Sequence, residues 1–166
     1  MENYAEFLVK KRMSAGDIAK IALVAFALIF IVLSVSLWLG KASGFVVLIF
    51  GGYVAYLLIT GIRREYEYIV TSDHLNVDEV IAQRHRRRIC GFDFSAMELC
   101  ASVHDPNKNG EMKRHFAKTI NAASAPGAKN ARFAVFSGED GLCLLIFEPN
   151  DKILDSMRIY VKSKVF

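Results

Sequence analysis

The densest group of chemically capable side chains in this 166-residue chain is Arg84-His85-Arg86-Arg87-Arg88. Side chains alternate along an extended strand, so Arg84, Arg86 and Arg88 would share one face and His85 and Arg87 the other. Guanidinium groups recognise phosphate and carboxylate. The run therefore suits anionic lipid headgroups, at about 1 kcal/mol per basic residue beside a charged leaflet, or an acidic protein partner. It equally suits a solvated edge strand whose arginines pair with Asp78, Glu79 and Asp93. From Arg63 onward there are 16 basic and 14 acidic side chains, a surplus of two, which speaks against nucleic acid as a partner.

Other reactive residues form no recognisable constellation. Cys90, Cys100 and Cys143 lack the C-x-x-C spacing and lie in apolar stretches, where buried free thiols are ordinary. His74, His85, His104 and His115 are scattered, so neither a metal site nor a Cys/His nucleophile pair is expected. Gly138-Glu139-Asp140-Gly141 is too short for a phosphate-cradling loop and reads as a hairpin turn. The expectation is a protein without a catalytic site, cofactor or metal.

The elements carrying these residues follow from hydrophobic periodicity. Tyr66, Tyr68 and Val70 alternate with more polar neighbours. Ser72-Asp73-His74 then supplies a turn before Leu75, Val77 and Val80-Ile81-Ala82, which gives a β-hairpin. A third strand is expected from about Arg86 to Phe94, while residues 95–103 fit strand or helix and residues 104–110 form a loop. Further strands are expected at 118–123, 132–137 and 142–148, the last nearly all apolar, as a strand covered on both faces would be. Residues 150–164 read as an amphipathic helix capped by Asn150, with Ile153, Leu154, Met157, Tyr160 and Val161 on one face.

The first third of the chain is different in kind. Residues 21–40 and 42–62 contain no charged side chain and are separated by Lys41. Each is as long as the roughly 20 residues a helix needs to cross the hydrocarbon core. A cleaved signal peptide, suggested by Lys10-Lys11-Arg12 and Ser34-Val35-Ser36, would still leave a second complete span. The tight connection predicts an antiparallel transmembrane hairpin. Ser36 and Gly40, and likewise Gly51 and Ala55, stand four apart and are expected to pack helix on helix, within the hairpin or between copies. Lys10, Lys11, Arg12 and Lys20 before the spans and Arg63 and Arg64 after them outweigh Lys41 at the tip, which predicts both termini in the cytoplasm and a place in the inner membrane. Residues 1–20, with Tyr4, Phe7 and Leu8 among charges, are expected to form a short amphipathic segment on the inner surface. The spans hold no Asp, Glu, Lys, Arg or His, so a transport path through this chain is not expected.

An α+β membrane protein emerges: a two-helix hairpin at 21–62, then an antiparallel β domain at 63–166 closed by a C-terminal helix. This layout resembles the pleckstrin-homology-like (PH-like) domains of small bacterial membrane proteins. The residues that carry the resemblance are Tyr66-Glu67-Tyr68-Ile69-Val70 running straight from the membrane, Leu75-Asn76-Val77-Asp78 before Arg86-Arg87-Arg88-Ile89, and Leu145-Ile146-Phe147-Glu148-Pro149 before the last helix. With Met1-Glu2-Asn3-Tyr4 and Lys10-Lys11, the chain also looks like a bacterial family of two-span proteins of this size. The resemblance implies fold and location and carries no activity over. The basic phosphoinositide-binding pattern of eukaryotic relatives is missing, since Ser72-Asp73-His74 stands between the first two strands. The expected function is a membrane-anchored adaptor or assembly protein that binds lipid headgroups or an acidic protein partner through Arg84, Arg86, Arg87 and Arg88, with a membrane protein partner or a second copy of the chain as its expected company in the bilayer. The alternatives are a membrane-bound enzyme with an unrecognised site and an accessory subunit of a larger membrane complex.

Overall fold

A computed structural model describes residues 4–166, which divide into a helical unit, residues 12–64, and a β unit formed by residues 4–11 and 65–166.

The helical unit consists of α1 (Ala15–Leu39) and α2 (Lys41–Ile62). Helix α1 starts six residues before the uncharged run because Ser14 and Asp17 form a capping box. The Ser14 side chain accepts from the Asp17 N–H, and the Asp17 carboxylate accepts from the Ser14 N–H. Gly40 alone joins the helices, at φ 90°, a conformation that costs glycine little. Gly44 faces Ser36 and Gly51 faces Leu28, pairs placed almost symmetrically about Gly40, as an antiparallel hairpin requires. Both helices are long and apolar enough to cross a membrane.

The β unit is built from two four-stranded sheets. The first has the order β1 (Tyr4–Lys10), β2 (Arg64–Thr71), β3 (His74–Ile81), β4 (His85–Asp93). The second has the order β5 (Met97–Ser102), β7 (Arg132–Gly138), β8 (Gly141–Phe147), β6 (Lys118–Asn121). The pairings with a defined register are antiparallel except that of β6 with β8, which run parallel. Helix α3 (Asp151–Val161), capped by the Asn150 side chain, buries Ile153, Leu154 and Met157 in the core between the sheets. There Tyr68 packs edge-on to Phe147, and Phe92 stacks on Phe136 with ring centroids 4.1 Å apart. A smaller apolar cluster lies on the other face of the second sheet, where Met112 and Phe116 cover Phe133 and Leu144. Strand β8 is therefore covered on both faces, as its apolar run predicts.

Two sequence expectations need correction. The N-terminal segment is not a surface helix: residues 4–10 form β1, antiparallel to β2, with Ala5 opposite Val70 and Lys10 opposite Glu65. Ala5 and Val9 are buried in the core with Phe7 packed against it, a period of two that the flanking charges obscured. Strand β3 stops at Ile81. Ala82 and Gln83 both take positive φ in a tight turn closed by the Arg84 N–H donating to the Ile81 carbonyl, so β4 starts at His85.

Candidate functional site

Strand β4, an edge of the first sheet, carries His85, Arg86, Arg87 and Arg88, while Arg84, expected on the same strand, falls in the turn before it. Strand β4 pairs with β3 so that Asp78, Glu79 and Val80 lie opposite Arg88, Arg87 and Arg86. The Arg86 guanidinium bridges both oxygens of Glu67 on β2, at 2.9 Å and 3.1 Å. Arg87 stands 3.6 Å from Glu79 and Arg88 stands 3.7 Å from Asp78. The arginine side chains remain 62–74% exposed while the carboxylates are nearly covered, Glu67 to 2%. Each of these three guanidinium groups thus caps a sheltered acid, and the strand presents far less net charge than its sequence suggests. Asp93, expected to help neutralise this strand, instead pairs with His74 at 2.6 Å. Arg84 lies exposed in the turn and makes no ion pair among the described residues.

Glu67 has a neighbour that the sequence did not suggest. On the same face of β1, Glu6 accepts from the Tyr4 hydroxyl at 2.6 Å. Burial and a hydrogen bond with Glu6 raise the Glu67 pKa, and Arg86 opposes them. The Tyr4 and Glu67 hydrogen bonds lower that of Glu6. A carboxyl pair is therefore held on one face by β1, β2 and β4. The alternation of β2 places Glu67 opposite in facing to Tyr66 and Tyr68, but only the register of β1 brings Glu6 to it.

Burial pushes the Cys90 and Cys100 thiols up to about 12, which keeps them protonated and weakly nucleophilic near neutral pH. Among the described residues, no three His, Cys, Asp or Glu side chains converge in a way that could hold a metal ion. The Gly138–Gly141 segment is the β7–β8 hairpin turn, with those two glycines directly opposite.

The helix-packing residues are partly reassigned. Ser36 packs, but against Gly44, whose added Cβ would fall 1.8 Å from the Ser36 Oγ. Gly51 lies against Leu28, and Ala55 is buried. Gly40 does not pack: it is the connection, with nothing within 4 Å of where a Cβ would stand. The sequence shows Gly44 only as one residue of the uncharged run 42–62, and its packing role depends on the partner helix.

An apolar helical pair inserted between the first two strands of a two-sheet domain that ends in an amphipathic helix defines a PH-like protein with an N-terminal helical hairpin. The chain belongs to the bacterial PH-like domain family DUF6106, whose model matches residues 1–166. No curated protein and no solved structure matches it.

Proposed function

We propose that this protein is a non-enzymatic adaptor, anchored in the inner membrane by α1 and α2, whose PH-like domain binds a protein partner on the cytoplasmic side. The observation that carries the reading is the insertion of the helical pair between paired strands. Strand β1 precedes α1, β2 follows α2, and Lys10 lies opposite Glu65 in one sheet. A hairpin crossing a bilayer must return to the side it left, which is what a domain folded from both of its flanks requires. The basic residues flanking the spans favour the cytoplasm as that side.

The neutralised arginine strand favours a protein partner over lipid headgroups. Contact with a bilayer at β4 would have to compete with carboxylates already 2.9–3.7 Å from three of the arginines. In-membrane cross-linking of the full chain tests the reading. The expected result is a reproducible neighbour whose capture depends on the β unit. Recovery of monomer alone overturns the adaptor role, and a periplasmic reporter active at the C-terminus overturns the topology.

A further inference from the structure

The second sheet leaves β5 at its edge, with β7 on one side. After α3, a 3-10 turn at Lys162–Lys164 brings the chain back to the other side of β5. Val165 forms a parallel bridge with Cys100, and the Phe166 N–H donates to the Cys100 carbonyl at 2.9 Å. The Val165 side chain is 8% exposed and belongs to the core, whereas Phe166 is 54% exposed. Arg132 donates to the main-chain oxygen of Phe166, the Lys108 ammonium lies 4.2 Å from the centre of the Phe166 ring, and the Lys164 ammonium donates to the Ser95 carbonyl at 3.2 Å. Short as it is, this contact has the parts of strand addition: main-chain hydrogen bonding along an edge, one side chain buried in the core, and flanking groups that fix direction. Apart from Val165 and one main-chain hydrogen bond, the segment is held only at the surface. The surface contacts are side-chain donors to main-chain oxygens and one exposed cation over a ring, and the segment makes a single bridge to a six-residue strand.

We propose that the edge of β5 away from β7 is a strand-addition site for an extended segment of a partner protein, running parallel to β5 with an aliphatic residue followed by an aromatic one, and that residues 162–166 occupy it as a displaceable internal ligand. The residues seated there define the chemistry. The aliphatic side chain replaces Val165 in the core, and the aromatic ring lies beneath Lys108. The main-chain oxygen of the aromatic residue accepts from Arg132. An unoccupied edge would expose unpaired N–H and C=O groups to unspecific pairing, so an internal occupant also protects the domain until the partner arrives. This deepens the adaptor reading, on which it rests for the existence of a protein partner.

Two measurements on the full chain in detergent micelles test it. Hydrogen exchange should show the Phe166 amide opening locally, at least ~100-fold faster than the amides of β8. The second probe is a synthetic peptide with the sequence of residues 160–166. It should bind a Val165→Asp chain, whose own segment cannot dock, at least ~10-fold more tightly than the unaltered chain, because an internal ligand scales apparent affinity by the fraction of time it leaves the edge vacant. The same peptide carrying Asp in place of valine should not bind. A Phe166 amide that exchanges as slowly as those of β8 overturns the proposal, and this readout stands even where Val165→Asp fails to fold. Absence of peptide binding to a folded Val165→Asp chain overturns it as well. Cross-linking that finds no neighbour in membranes while both readouts succeed removes the adaptor role and leaves the edge site intact. The converse result leaves the adaptor role and removes this site.

Discussion

Glu67 shows how a charged side chain is kept inside a sheet. Its carboxylate is sheltered, yet Arg86 reaches both of its oxygens from the solvent side. Arg86→Ala should cost about 1–3 kcal/mol by leaving that acid without its donor, and the low end is expected because the guanidinium is exposed. Adding Glu67→Gln to Arg86→Ala should recover part of the loss, and the deficit of Arg86→Ala alone should shrink on acidification as Glu67 takes up a proton. Thermal melts of the double-mutant cycle at two pH values decide this. Tyr68 bridges the two layers in a different way, its hydroxyl donating to the Ala122 carbonyl at 2.6 Å and accepting from the Glu148 N–H at 3.2 Å. Tyr68→Phe leaves two sheltered backbone groups unpaired and should lower stability by about 1–3 kcal/mol, read as a drop in melting temperature. The thiols give a pH signature. The folded chain holds the Cys90 and Cys100 protons up to about 12 and the unfolded chain releases them near 9. Between those values the folded state binds more protons, so stability falls as pH rises through the window. Alkaline titration of the near-ultraviolet circular dichroism should show this loss, and Cys100→Ala should weaken it.

Among the elements, β1 and the helical hairpin make the sharpest predictions. A strand with Ala5, Phe7 and Val9 inward tolerates change at Leu8 and resists it at Ala5. Ala5→Glu should therefore abolish the folded domain, and Leu8→Glu should leave it intact by circular dichroism. A surface helix gives the reverse order. In the hairpin, Gly44→Leu drives a side chain into Ser36 and should separate the helices, whereas nothing stands within 4 Å of a Cβ at Gly52. Gly52→Leu should melt like the parent in detergent, and Gly44→Leu should melt lower.

At the scale of the molecule, the hairpin is an insertion into a complete domain. Since Lys10 lies directly opposite Glu65, replacing residues 11–64 by a two-residue Asn-Gly turn should close the β1–β2 pair with little strain. The product should be recovered from the aqueous phase with the near-ultraviolet spectrum of a packed domain, while the full chain should pellet with membranes. An aggregated or molten product would show that the β unit depends on the helical hairpin.

Hydropathy and periodicity alone located both long helices, most of the strands and the Asn150-capped helix, because solvation and side-chain alternation act within a few residues of chain. The arginine run itself was legible for the same reason, as was the turn at Gly138–Gly141, but the start of β4 after Arg84 was not. Register and long-range pairing were not. Residues 4–10 become a strand only because β2 presents an edge about sixty residues later in the chain, and Glu67 neutralises Arg86 only because β3 sets the spacing between their strands. Gly44 and Leu28 become packing residues only once Gly40 folds α2 back on α1. Local sequence determined which segments avoid water and how each one alternates. Tertiary structure decided which charges meet, because the energy of an ion pair depends on distances between strands that no single segment specifies.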